Sequence, residues 1–270
     1  MANEIIQSLT NNLDASLVAV SDALPKDFNK ARFLQNAMSV VKSNPDLLKY
    51  NQTELLTCML RGAYLSLDFY NKECWLVPYA GHVTFQTGYK GDCKFVKKYS
   101  IRPLSDVYAK PVRQGDVLDY GVRDGEPYLT WKPLPFNDGE IVGVFAVAFF
   151  KDGGMLYEVM SKAEVDKVRR VSKAGASNSS PWATWYESMA CKTVLCKLCK
   201  GIETDFDNVE QREAWEEGGG VDFNIKPETE VHNPFASKEE ETVNDDFIDT
   251  TAEEVESMSV EMPFGEVTNG

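Results

Sequence analysis

Two stretches of this chain set cations beside aromatic rings, a combination suited to phosphates and bases. The first is Ser179 to Lys200, SSPWATWYESMACKTVLCKLCK. At about 100° per residue, Trp182, Trp185, Tyr186, Met189, Thr193, Cys196 and Lys200 fall on one side of a helix, flanked by Lys192 and Lys197. That face reads in two ways. Either the rings are core and the lysines snorkel, or ammonium groups meet phosphates while rings lie near bases. The second stretch is Gly88 to Tyr99, GYKGDCKFVKKY. As a helix it gathers Lys90, Lys94 and Lys97 within about 60° of one another. Lys98 is adjacent, and Phe95, Val96 and Tyr99 lie opposite. Four cations against one acid, Asp92, make either a solvated basic face or a track for phosphates.

Other chemistries find little to work with. There is no G-x-x-x-x-G-K-[ST] loop for nucleotide hydrolysis and no G-x-S-x-G elbow. Only two histidines exist, His82 and His232, so histidine acid–base work is not indicated. The six cysteines (58, 74, 93, 191, 196, 199) read as free thiols. Cys196-x-x-Cys199 invites a metal, but on a helix Cys191, Cys196 and Cys199 point in directions about 0°, 140° and 80°, which do not converge. Carboxylate pairs such as Asp124 and Glu126 sit in a turn signal. No metal, no cofactor and no catalytic residue is expected, and the chain reads as a non-enzyme.

The same stretches carry a resemblance. A loop of small polar residues, then P-W-x-T-W-Y-x-x-M-x-x-K-T-V, then L-C-K, resembles the signature of the RecT family of phage single-strand annealing proteins. A second block, Trp75-Leu-Val-Pro-Tyr79 followed by Gln86-Thr-Gly-Tyr-Lys-Gly91, is similar to that family as well. The order matches from about Phe28 to Asp205. The resemblance implies an ATP-independent protein that coats single-stranded DNA as a ring or helical filament. It would accept a complementary strand and stay on the nascent duplex. It also implies a phage 5′–3′ exonuclease as partner and a host single-strand-binding protein as a second one. A coating module that does not anneal is the alternative reading. On this basis the expected phosphate ligands are Lys90, Lys94, Lys97, Lys98, Arg102, Lys110, Arg169, Arg170, Lys173, Lys192 and Lys197. Gln86, Thr87, Tyr89, Ser177, Asn178, Ser179 and Ser180 are expected to hydrogen-bond. Phe85, Trp182 and Trp185 are ring candidates that core packing would equally explain.

The elements that must position these residues are legible in order. Ile5, Ile6, Leu9, Leu13, Leu17 and Val20 recur at helical spacing over residues 4 to 20. That helix packs either on a neighbouring subunit or on its own body. Asn29 to Ser43 reads as a helix ended by Asn44-Pro45. Asn51-x-x-Glu54 is a capping-box start for another, to Leu67. Cys74 to Tyr79 and His82 to Thr87 make a hairpin around Ala80-Gly81. The resemblance implies that it belongs to the DNA-binding apparatus, and its tip suits a wedge between bases. Five β-like runs follow: Leu104 to Ala109, Val117 to Tyr120, Tyr128 to Trp131, Ile141 to Phe150 and Met155 to Met160. They imply one antiparallel sheet with Ile141 to Phe150 at its centre. Ser161-x-x-Glu164 caps a helix to about Val171, on which Lys162, Arg169 and Lys173 share a face with Arg170 beside them. Ser172 to Ser180 is either a linker or a phosphate-binding loop at the start of the next helix. Ser180 and Pro181 are that helix's expected cap and first residue. A short helix is expected around Asn208 to Glu217.

Length and charge set the frame. Hydrophobic residues are 43% of 270, enough for a sizeable core. The net charge of −14 argues against nucleic acid until its distribution is read. Residues 221 to 270 hold 14 Asp and Glu against 2 Lys, which leaves −2 on the first 220 residues. The expected fold is α+β: a small antiparallel sheet with a β-hairpin and packed helices, followed by a disordered acidic tail. The expected division is a helix over 1–27, a DNA-binding core over 28–217 and the tail over 218–270. Asp245 to Val260 mixes Phe247, Ile248, Val255 and Met258 with acids, which suits either a partner segment or a solubilising one. No apolar run reaches the roughly 18 residues that would span a membrane. The start lacks a signal-peptide pattern, so a cytoplasmic location is expected.

Overall fold

Three helices lead the chain: α1 (Ala2–Ala19), α2 (Lys30–Ser43) and α3 (Gln52–Tyr64). They belong to residues 2–172 and 180–219, which the computed structural model describes. Asn29 Oδ1 accepts the Arg32 N–H, and Asn51 Oδ1 accepts those of Thr53 and Glu54, so orphan donors at both helix starts are satisfied. Only half of the expected capping box at Asn51 forms. The Glu54 carboxylate turns instead to His82 Nδ1 and the Val83 N–H, pinning the following hairpin to α3. Leu9, Leu13 and Leu17 are fully buried against α2 and α3, so the chain's own body covers the apolar stripe of α1.

The hairpin pairs β1 (Cys74–Tyr79) with β2 (His82–Thr87) in antiparallel register. Its two turn residues, Ala80 and Gly81, both take positive φ, as a tight hairpin of this twist requires. Helix α4 (Tyr89–Tyr99) then starts hard against the turn before β1. The Gly88 N–H donates to the Glu73 carbonyl, and a Cβ on Gly91 would collide with that same oxygen. Both glycines of the Gln86–Gly91 block therefore serve close backbone approach.

Strands β3 (Leu104–Arg113), β4 (Val117–Arg123), β5 (Glu126–Lys132), β6 (Ile141–Phe150) and β7 (Met155–Ser161) follow. They do not form one sheet. The order β3-β6-β7 is a three-stranded antiparallel sheet with β6 central, while β4 and β5 pair only with each other. The reason is that β6 is apolar on both faces. Val144, Ala146 and Ala148 face the helical core. Phe145 and Val147 face a second cluster with Leu118, Leu129 and Trp131, so the β4–β5 hairpin covers the sheet's other side.

The Ser161 capping box forms in full and opens α5 (Lys162–Val171). The expected single helix over 181–200 is two: α6 (Pro181–Thr184) and α7 (Tyr186–Gly201). Trp185 breaks them at φ −131°, ψ 48°. A continuous helix would put Trp182, Trp185 and Tyr186 on one face. The break lets Trp182 bury and turns Trp185 outward, 66% exposed. Ser180 is not the side-chain cap that was expected; its Oγ is buried with no hydrogen-bond partner among the described residues. Helix α7 packs on the sheet and on α4, and α8 (Val209–Gly218) closes against α3 and β2.

Asp92 is not an offset to the basic stripe but a buried carboxylate, 1% exposed. Cys196 Sγ donates to Oδ2 at 3.0 Å, and Oδ1 has no partner among the described residues. Burial pushes the Asp92 carboxyl up, against the hydrogen bond from Cys196 and the charges of Lys200 and Lys192. An acid with a raised native pKa binds its proton more tightly when folded, so its contribution to stability grows as pH falls. Asp92→Asn is expected to melt above the wild type at about pH 8, with the gap narrowing toward about pH 5. Gly91→Ala is expected to cost about 1–3 kcal/mol, read as a lowered thermal midpoint, because α4 must leave Glu73 to admit the methyl.

Candidate nucleic-acid interface

Three elements enclose a groove. Strand β3 forms one wall, the first half of α7 the other, and the start of α4 one end. Along β3 the pleat turns Ala109 and Pro111 toward α7 and puts Tyr108 and Lys110 on the opposite side, at the open edge of the sheet. Along α7, Ser188 and Lys192 are one turn apart, as are Cys191 and Leu195 below them. Helix α4 contributes Tyr89 from its first position. Together these residues line a cavity of about 380 Å³. The two sequence blocks that carry the family resemblance thus meet in space: Tyr89 comes from the second, and Glu187, Ser188 and Lys192 from the first.

The groove's charge is set by which cations are already engaged. Lys110 and Lys192 have no ion-pair partner among the described residues. Glu187, the acid on the rim, is held by the Arg113 guanidinium, which also donates to the Gly139 carbonyl at 2.8 Å. That contact neutralises the carboxylate most able to repel a phosphate. Lower down, burial pushes the Cys191 thiol up to about 11, with Glu187 adding to it, so it is uncharged at neutral pH. Among the described residues no cluster of His, Cys, Asp or Glu is arranged to hold a metal ion.

The residues singled out from the sequence divide into three groups. Lys90, Lys110, Arg169, Arg170 and Lys192 carry charge without an ion-pair partner among the described residues. A second group is paired with carboxylates: Lys94 with Glu73, Lys97 with Asp106, Lys98 with Asp27, Arg102 with Asp152 and Lys197 with Glu158. Exposed pairs of this kind contribute about 0–1 kcal/mol, so a phosphate can displace them, but each exchange frees a carboxylate nearby. A third group is structural. Phe85 is 3% exposed and meets Phe69 edge-on in the core. Thr87 is buried, with its hydroxyl donating to the Gly218 carbonyl at 3.0 Å. Trp182 is 1% exposed and donates from Nε1 to Ser172 Oγ, and Ser180 is buried beside it. These four side chains are buried in the body. Gln86 is half-buried on β2, and Tyr89 and Trp185 are exposed. Lys173, Ser177, Asn178 and Ser179 lie outside the described residues. Tyr108 was not among the candidates, although its two-residue offset from Lys110 in a β-like run was a readable signal.

Comparisons with known proteins bear on the family rather than on the groove. A family model described as "RecT family" matches residues 31–230. "Protein RecT" of Escherichia coli (strain K12) is 28% identical over 195 residues, covering 68% of this chain and 71% of that protein. "Uncharacterized protein YqaK" of Bacillus subtilis (strain 168) is 22% identical over 166 residues, 61% of this chain and 56% of that protein.

Removing the unpaired cations should weaken nucleic-acid binding more than removing the paired ones. A Lys110→Ala/Lys192→Ala double variant is expected to lower single-strand affinity and to flatten the slope of log K against log salt by about 1.4, two single-strand phosphate contacts. Lys94→Ala/Lys97→Ala is expected to change that slope by less. Fluorescence anisotropy across a salt series reads both.

Proposed function

The chain belongs to the RecT family, and from that premise we propose that it is an ATP-independent single-strand annealing protein of phage recombination. One strand runs along the groove between β3 and α7 with its phosphates on Lys110 and Lys192. Lys90, Arg169 and Arg170 extend the track beyond the groove, and the paired lysines of α4 join it by exchanging a carboxylate for a phosphate. Contacts of this type hold the backbone without reading sequence. Pairing edges therefore stay free for a complementary strand. Base pairing supplies both the specificity and the free energy, which is why no nucleotide cofactor enters the scheme. Screening of phosphates by fixed cations lowers the repulsion between two approaching strands.

The observation that carries this reading is the convergence of the two family blocks on one groove whose cations have no ion-pair partner among the described residues. The protein acts as a homo-oligomer, ring or filament, that coats the strand and remains on the nascent duplex. A 5′–3′ exonuclease supplies the single strand, and a host single-strand-binding protein is a second partner. The annealing core is residues 28–217, in the cytoplasm of the bacterial host. No step makes or breaks a covalent bond, so the protein is not an enzyme.

Complementary labelled oligonucleotides, mixed without ATP at fixed salt, test this directly. The expected result is pairing faster than the spontaneous rate, with strands of unchanged length. Binding without faster pairing would reduce the protein to a coating module. Shortened strands, or a requirement for nucleotide or metal, would make it an enzyme on nucleic acid.

A further inference from the structure

The loop between β5 and β6, residues 133–140, holds a large aromatic ring in water. Phe136 is 101% exposed and sits at φ +54°, a left-handed backbone that a bulky residue rarely adopts. The loop is not slack. Asp116 accepts the Arg113 N–H at 2.9 Å on one carboxylate oxygen. On the other it accepts the Leu134 N–H at 3.0 Å and an Asn137 Nδ2–H at 2.8 Å. Asn137 also donates to the Gln114 carbonyl and accepts the Gly139 N–H. Pro133 and Pro135 stiffen what those bonds leave. Leu134 and Val117, 51% and 58% exposed, stand at the same end of the β4–β5 hairpin. A backbone fixed this firmly around a solvent-facing ring suits an interface anchor, because little ordering is left to be done when a partner arrives.

Charge narrows what the ring can meet. Residues 114–140 hold six acids, Asp116, Asp119, Asp124, Glu126, Asp138 and Glu140, against Arg123 and Lys132. The first 220 residues net −2, so without the −4 of this lobe they net +2. An acidic lobe repels phosphates and repels its own image, so neither a DNA strand nor the same lobe of another copy suits it. A basic surface on a second copy does. We propose that the Phe136 loop is a docking anchor that seats on a different, basic surface of the next copy of this chain. An interface between two unlike surfaces repeats head to tail, which gives a ring or helical filament rather than a closed pair. The proposal rests on the reading that the protein coats a single strand as an oligomer. Arg113 ties the anchor to the groove, since its guanidinium donates to the Gly139 carbonyl at 2.8 Å and holds Glu187 on the rim. A copy docked at Phe136 thus stands beside the groove, where a strand passes from one copy to the next.

The test places the photoreactive aromatic p-benzoylphenylalanine at position 136 of the full chain. Isotope-light and isotope-heavy copies are mixed on a saturating oligothymidylate and irradiated. Mass spectrometry is expected to find light–heavy adducts at residues outside 114–140. Light–heavy adducts confined to 114–140, adducts within one chain, adducts to the strand, or no adduct would each overturn the proposal. Phe136→Ser supplies a second measurement. Because the ring is fully exposed, the variant is expected to melt with the wild type and to bind a strand too short for two copies equally well. It should bind a long strand about tenfold more weakly, the loss expected of an interface anchor, and form smaller assemblies by light scattering. Unchanged assembly of Phe136→Ser on the long strand would overturn the anchor and leave the annealing reading intact. A wild type that binds neither strand would overturn the annealing reading, and the anchor with it.

Discussion

The packing of α7 on the central strand β6 is the constraint on which the rest of the structure depends. Burial on both faces is what lets a ten-residue strand organise two layers. On one face the small side chains of Ala146 and Ala148 let the helix approach, and Ala190, Val194 and Leu198 of α7 are all within 2% of full burial there. On the other face Phe145 meets Trp131 edge-on, with centroids 5.4 Å apart, and draws the β4–β5 hairpin over the sheet. Enlarging the alanine face would lift α7 away from β3. The groove is the gap that this distance leaves, so its width is a property of the core rather than of its own lining.

Function then follows from how charge is distributed around that gap. The body is almost neutral, yet its cations are not equivalent. Lys94, Lys97 and Lys98 of α4 are matched by acids from other elements, such as Asp106 on β3 and Asp27 before α2. Those in the groove have no acid partner among the described residues, and Glu187 on the rim is neutralised by Arg113. A strand of phosphates gains most where it displaces least. The groove rather than the exposed stripe is therefore the primary binding surface in this account, with α4 as an auxiliary.

Much of this was legible in the sequence because the signals were local. Helix starts at Asn29, Asn51 and Ser161 were written in capping residues, and the Ala80-Gly81 turn fixed the first hairpin. Central β6 showed itself as an unbroken apolar run. What was not legible depended on contacts distant in sequence. No local pattern says that β4 and β5 leave the sheet, since that follows from the back face of β6. Nor does helical periodicity reveal the break at Trp185, which comes from the need to bury Trp182 without burying its neighbour. The face of Trp182, Thr193 and Cys196 is core, as one of its two readings held, while Trp185 escapes it. The pairing of Lys94 with Glu73 or Lys97 with Asp106 was equally hidden, because the partner acids lie on separate elements.

The measurement that bears most directly on the central claim is lysine footprinting with and without a saturating single strand. Brief acetylation followed by mass spectrometry reports each ammonium group separately. The account predicts that Lys110 and Lys192 lose reactivity when the strand is bound, whereas Lys42 on α2 and Lys132 on β5 keep theirs. Protection of Lys94 and Lys97 with Lys110 and Lys192 still reactive would contradict it, and would move the strand from the groove to the outer face of α4.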